Sequence, residues 1–166
     1  MFEAWLHFAI VTSVQLLLFI IHAYYEKRLS DAPRILGRGV LIGVVIGLFF
    51  DLVLGKFLEL FSYTLGFGVL FITLNLVFSY GLFSANTLLM QRARLLHLYL
   101  WTIIVMVVYE ITNLFFPMWT WKLALPDIAF LAVLSVGYFG GAILVAIISH
   151  VFLRDRFLFI DTLLKR

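Results

Sequence analysis

Five runs of apolar residues fill most of this chain, at about 4–24, 36–54, 65–90, 95–116 and 126–153, separated by short stretches that carry nearly all the charge. A helix rises 1.5 Å per residue, so about 20 residues cross the hydrocarbon layer of a bilayer, and each run is about that length or somewhat longer. Inside hydrocarbon every backbone N–H and C=O must be bonded within the protein, which leaves the α-helix as the form for runs of this kind. Composition agrees: 64% of the 166 residues are hydrophobic and 13% are charged. A soluble domain would be about half apolar and about a quarter charged, and one small core could not bury the excess. The predicted fold is an all-α polytopic membrane helix bundle of about five transmembrane helices, a single domain over residues 1–166.

The chain opens Met1-Phe2-Glu3-Ala4-Trp5 with no basic region, and no small-residue cleavage site follows the first run, so that run reads as a retained helix rather than a signal peptide. Pro117 stops the fourth run, and Pro126 suits the first turn of the fifth. The tail, 154–166, alternates charges with Phe157, Leu158, Phe159, Ile160, Leu163 and Leu164 and reads as an interfacial helix.

The basic residues orient the bundle. Lys27, Arg28 and Arg34 lie between runs one and two, with Arg38 at the start of run two. Arg92 and Arg94 lie between runs three and four, and Arg154, Arg156, Lys165 and Arg166 follow run five. With five spans these ten fall on one side, and only Lys56 and Lys122 fall on the other. Under the positive-inside rule the N-terminus is expected outside and the C-terminus in the cytoplasm, in a bacterial or archaeal cytoplasmic membrane. Loss of any one span would scatter these charges.

A spacing recurs. Asp51, the triplet Phe61-Ser62-Tyr63 and Tyr80 are echoed by Glu110, the triplet Trp119-Thr120-Trp121 and Tyr138; triplets and tyrosines share one offset and the acids match to within one residue. Two hairpins of the same direction would form a parallel repeat about an axis along the membrane normal, with run one as the unpaired extra. The competing reading is that such triplets mark any membrane interface.

Polar groups at membrane depth are the candidate functional residues, because a charge there costs about 3 kcal/mol on insertion scales. Asp51 and Glu110 lie in the outer halves of runs two and four, and Asn113 is one turn from Glu110, on a face that Thr102 and Met106 continue. As catalytic or binding candidates, Asp51, Glu110 and Asn113 would act as proton donors, an ion site or anchors for a polar group. As structural residues they would end helices or bond neighbouring ones. If the repeat holds, runs two and four are neighbours and the two carboxyls share one interior.

His7, Gln15, His22 and, less closely, Glu26 form a polar stripe on run one; Asn75, Ser79 and Asn86 form another on run three; both should face inward. Gly43 and Gly47 in run two, and Gly137, Gly140 and Gly141 in run five, read as flat surfaces for close helix approach. His22, His97 and His150 share one depth near the cytoplasmic face, so three imidazoles could meet there around a metal or tetrapyrrole. No His-x-x-x-His or Glu-x-x-His pair supplies two ligands from one helix, and the expectation is no metal and no cofactor.

No cysteine is present, which excludes disulfides and thiolate chemistry. There is no Gly-rich phosphate loop, nucleophile elbow, zinc-protease motif or nucleic-acid module. Anionic lipid and topology account for the basic segments without nucleic acid.

From the basic loop through run two, Asp51, the aromatic triplet and the next long run, residues 22–90 resemble one half of the small membrane lycopene cyclases of carotenoid synthesis, and 95–153 resemble it again. That resemblance implies repeated helical units and an isoprenoid substrate. Where those enzymes carry Pro-x-Glu-Glu, this chain reads Thr64-Leu65-Gly66-Phe67-Gly68 and Pro126-Asp127-Ile128-Ala129, so no active residue is carried over. The segment Gly43-Val44-Val45-Ile46-Gly47-Leu48-Phe49-Phe50-Asp51, with Gly55, is similar to the rod-shape-determining MreD family, which would imply a non-enzymatic scaffold; the same loose pattern occurs in vitamin-uptake S-components. Three functions follow as expectations. The first is a bundle holding a hydrophobic, isoprenoid-like ligand between two hairpins, in a closed polar pocket near the outer face. The second is a non-catalytic subunit or scaffold among other membrane subunits, with an exposed small-residue face. The third is a transporter component. Membrane lipids are partners in all three.

Overall fold

The computed structural model describes residues 2–66 and 68–164, without the side chains of Leu163 and Leu164. The readings that touch Phe67, Lys165, Arg166 and those two side chains lie outside the described residues. Five helices are long and apolar enough to cross a membrane: span one Phe2–Tyr25, span two Leu29–Phe57, span three Val69–Leu89, span four Leu95–Phe115 and span five Asp127–Leu153. The chain is an integral, multi-pass helical bundle, as its hydropathy predicts.

Span three sits at the centre of the packing. It lies against spans one, two and five, while span four packs on spans five and one. Spans two and four do not run side by side, which corrects the expectation from the repeat. Span two meets span three through a stripe of glycines. A Cβ at Gly39 would lie 2.5 Å from the Ala85 Cβ, and one at Gly43 would lie 2.5 Å from the Gly81 nitrogen. At Gly47 it would strike Leu76 and Tyr80. Packing this close needs hydrogen in place of a side chain, the usual device where hydrophobicity cannot drive helices together in lipid. Gly43 and Gly47 act as expected, and Gly39 extends the stripe. Span five differs: nothing lies within 4 Å of a Cβ built at Gly137 or Gly140, and Gly141 meets Phe83 only at ordinary distance. Those glycines are not a helix-packing face.

Several boundaries move. Span two starts earlier than its apolar run, at Leu29 with a short 3-10 turn leading into a helix from Ala32, so that Arg34 and Arg38 lie inside it, and it runs on to Phe57 through nine residues, Phe49–Phe57, in the wide turns of a π-helix. Span three starts at Val69, since Thr64–Gly66 forms a turn with Gly66 at φ +67°. Pro126 is the residue before span five rather than in its first turn, with extended backbone at ψ 147°. Two short strands, β1 (Phe61–Tyr63) and β2 (Trp119–Trp121), pair antiparallel, with Phe61 opposite Trp121, Ser62 opposite Thr120 and Tyr63 opposite Trp119. The triplets are thus bonded structure and not only interface residues.

The strands cap one end of the bundle, where Lys122 pairs with Glu59 at 3.3 Å. The basic segments gather at the other. Arg28 donates to Gln91 at 3.2 Å, the Leu158 N–H donates to the Gln91 carbonyl at 2.8 Å, and Arg38 bridges Asp155 at 2.8 Å. The tail is helical over Leu158–Leu164, but Phe157 and Phe159 are buried in the main core with Ile42, Leu88 and Val145. These two rings anchor the tail on the bundle end, while Leu158 stays exposed. A second, smaller core of Ala4, Phe71, Met118 and Trp119 lies under the strands.

Candidate functional site

Spans two and three each contain a π-helical stretch, Phe49–Phe57 and Asn75–Tyr80, and hydrogen bonds from Asn75 and Tyr80 to Asp51 join the two. Such turns are rare, and they re-aim side chains away from the faces a regular helix would give them. Here they aim Asp51, Asn75 and Tyr80 at one point. The Tyr63 and Tyr80 hydroxyls both donate to Asp51 Oδ1, at 2.8 and 2.9 Å, and Asn75 Nδ2 donates to Oδ2 at 3.3 Å. Asn75 also reaches the Tyr63 oxygen at 3.0 Å. Asp51 is 0% exposed. A carboxyl group at this depth is tolerated because its lone pairs are occupied by three donors from two other segments of chain, β1 and span three.

Glu110 is held in a parallel manner. Trp121 Nε1 donates to Oε2 at 3.1 Å and the Tyr138 hydroxyl to Oε1 at 3.3 Å. This acid has two donors to Asp51's three and is only half-buried. The carboxyls therefore do not form one hydrogen-bonded pair: each has its own aromatic clamp.

The clamps meet at a cavity of about 240 Å³. Tyr63, Tyr80, Trp121 and Tyr138 all line it, and Phe50, Phe61, Phe83, Tyr109 and Trp119 complete an aromatic wall. Asn75 and Ser79 are its polar contributions from span three. Val133 and Gly137 line the cavity and are also exposed on the outside of the bundle, so it opens sideways between spans two and five. The sequence leads to expect a closed polar pocket; this one is mainly aromatic and open on one flank. It suits an apolar, polarisable guest with little hydrogen-bonding demand.

Asn113 is used differently from Glu110. Its Oδ1 accepts from the backbone nitrogens of Met118 and Trp119 at 2.9 and 3.1 Å, and its Nδ2 donates to the Trp119 carbonyl at 3.0 Å. It braces β2, and thereby places Trp119 and Trp121. The stripes on spans one and three face inward as expected: His7, Gln15, Asn75, Ser79 and Asn86 are buried, while Glu26 is exposed. His7 Nδ1 donates to the Phe116 carbonyl at 3.1 Å, with its ring edge-on to Trp119 at 4.8 Å.

The three histidines expected at one depth do not converge. His22 and His97 line a second cavity of about 280 Å³ at the basic end, with Glu26 and Arg92. His150 is engaged elsewhere, its Nδ1 2.9 Å from the Asp155 carbonyl. Among the described residues no three His, Asp or Glu side chains are placed to hold a metal ion.

Sequence reasoning missed the clamps. Tyr63, Tyr80, Trp121 and Tyr138 were visible as a spacing, but their donation to the acids depends on π-turns and strand pairing. Comparison with protein-family models, with curated proteins and with solved structures found no match.

Proposed function

We propose that this protein binds an elongated hydrophobic molecule of the isoprenoid class in the aromatic cavity, with its basic end in the cytoplasm. The supporting observation is the convergence on one cavity wall of the four aromatic donors, Tyr63, Tyr80, Trp121 and Tyr138, that hold Asp51 and Glu110. Small-molecule sites usually span roughly 300–1,000 Å³. A cavity of about 240 Å³ takes one end of a long chain or a few isoprene units, and the flank at Val133 and Gly137 lets the remainder lie in lipid. Glu110, held behind the lining residues Trp121 and Tyr138, is the acid we assign to the guest, because Asp51 is already closed by three donors. Carotenoid-type chemistry fits this class of guest and agrees with the resemblance of residues 22–90 and 95–153.

The repeat belongs to the same proposal. Antiparallel pairing of like triplets centre to centre, with Ser62 opposite Thr120, is the arrangement a two-fold axis through the ribbon would produce. The two clamps then stand as equivalent halves around one cavity.

One observation favours a second reading, a scaffold subunit: Gly140 is exposed on span five with open space beside it, a surface another membrane helix could approach. Gentle purification followed by mass spectrometry of co-purifying lipid and protein separates the two. We expect one isoprenoid-like species enriched far above its share of the membrane, and lost on Gly137→Leu, which would fill the cavity. A stoichiometric protein partner with only bulk lipid would replace the first reading by the second.

A further inference from the structure

Spans one and three bury a line of polar side chains that the aromatic site does not use. His22 lines the basic-end cavity and faces Asn86 of span three. Asn86 Nδ2 donates to the Gln15 carbonyl at 3.2 Å. Gln15 lies two turns along span one from His22, and its Nε2 donates to the Tyr109 hydroxyl and, at 3.4 Å, to the Ser79 carbonyl. Tyr109 and Ser79 line the aromatic cavity. The line thus joins one cavity to the other.

It is also incompletely bonded. His22 Nδ1, Asn86 Oδ1 and Gln15 Oε1 are buried atoms with no hydrogen-bonding partner among the described residues. Gln15 and Asn86 are 1% and 0% exposed. Unpaired polar atoms are costly anywhere in a protein and more so at membrane depth, and small polar sites of this kind hold ordered water. At the strand end His7 is buried, bonded through Nδ1 to the Phe116 carbonyl and packed edge-on against Trp119 and Tyr109, and its Nε2 and Thr12 Oγ1 are likewise buried without a partner among the described residues.

We infer that spans one and three enclose a hydrated polar file that admits water and protons from the basic end to the aromatic cavity at Tyr109 and Ser79. Gln15 is its midpoint and Asn86 its inner lining. The file goes beyond ligand binding and holds whatever the cavity takes. Hydrogen-bonded water relays a proton along such a line by exchange of O–H bonds, without moving a side chain across the membrane.

The test is water-edited solid-state NMR on the full chain in bilayers of phosphatidylcholine and phosphatidylglycerol, with glutamine and asparagine side-chain nitrogens labelled. The chain has two glutamines, Gln15 and Gln91, and three asparagines, Asn75, Asn86 and Asn113, so each amide is assigned by single substitution. We expect Gln15 and Asn86 to gain magnetisation from water as fast as Gln91 at the basic surface. Build-up only at the rate of a dry core would overturn the inference in the unmutated protein. In Gln15→Leu, Asn86 should keep its water signal while Asn75, in the aromatic cavity, loses it. An unchanged Asn75 signal would show water reaching the cavity by another route and overturn the file as its supply. Gln15→Met serves if the leucine variant does not fold.

Discussion

Ser62 stands directly opposite Thr120 at the middle of the two-stranded ribbon, with Phe61 facing Trp121 on one side and Tyr63 facing Trp119 on the other. From this pairing Tyr63 reaches back to Asp51 and Trp121 reaches back to Glu110. The ribbon is therefore the element through which the two acid clamps share a cavity.

The acids should separate on mutation. Asp51→Asn keeps size but puts an amide among three donors, so a buried N–H₂ is left facing hydroxyls. We expect a loss of stability of about 1–3 kcal/mol, read by unfolding in detergent. Glu110→Gln, with two donors and partial exposure, should cost less and instead abolish retention of the co-purifying hydrophobic molecule. Equal retention in Glu110→Gln and the parent protein would remove Glu110 from the site.

Each tyrosine hydroxyl can be tested alone. Tyr80→Phe and Tyr138→Phe remove one donor from Asp51 and Glu110 respectively. Tyr80→Phe should cost more, about 1–3 kcal/mol, because its carboxyl has no access to water. The comparison is of melting temperatures in one detergent, and a larger loss for Tyr138→Phe would contradict the burial argument.

The glycines divide by environment. Gly43→Ala puts a methyl 2.5 Å from the Gly81 backbone, and backbone on both sides cannot yield. Overpacking of this kind costs about 1–3 kcal/mol or more. Gly140→Ala enters open space and should stay within about 0.5 kcal/mol of the parent. Thermal unfolding of the two variants side by side tests the contrast.

The tail is latched by Asp155, which accepts from Arg38 at 2.8 Å and from the Ser149 hydroxyl at 2.5 Å. Asp155→Ala should free the segment that buries Phe157, and limited trypsin treatment should then cut at Arg154 or Arg156 much faster. Unchanged cleavage would mean that Phe157 and Phe159 hold the tail without the ion pair.

Orientation is checked by single cysteines, which this cysteine-free chain allows. An impermeant thiol reagent should label positions 56 and 122 from outside intact cells, and positions 34 and 92 only after the membrane is opened. Labelling of position 34 from outside would reverse the topology.

Much of this molecule is readable from hydropathy and charge. The five spans follow from run length, because crossing hydrocarbon demands it; their ends err where π-turns, a glycine turn or a proline cap intervene, and most at span two, whose helix begins at Leu29 within the charged stretch before its apolar run. The inward faces of spans one and three were legible as His7, Gln15, Asn75, Ser79 and Asn86, since lipid excludes such groups. The site was legible only as a spacing. Asn113 read as a partner of Glu110 and serves β2 instead, because a helical period cannot tell whether an amide bonds across its own helix or to the loop that follows it.

Apolar run length and the placement of basic residues thus determined the number of spans and which connections share an end, because solvation in lipid acts on each residue where it stands in the chain. Partners were decided by tertiary structure. The pairing of Phe61–Tyr63 with Trp119–Trp121, the use of Gly39 rather than Gly140 for close packing, and the enclosure of Asp51 by Tyr63, Asn75 and Tyr80 all join groups distant in sequence. Hydrogen bonds and close packing depend on distances of a few tenths of an ångström, and those exist only once the helices have docked.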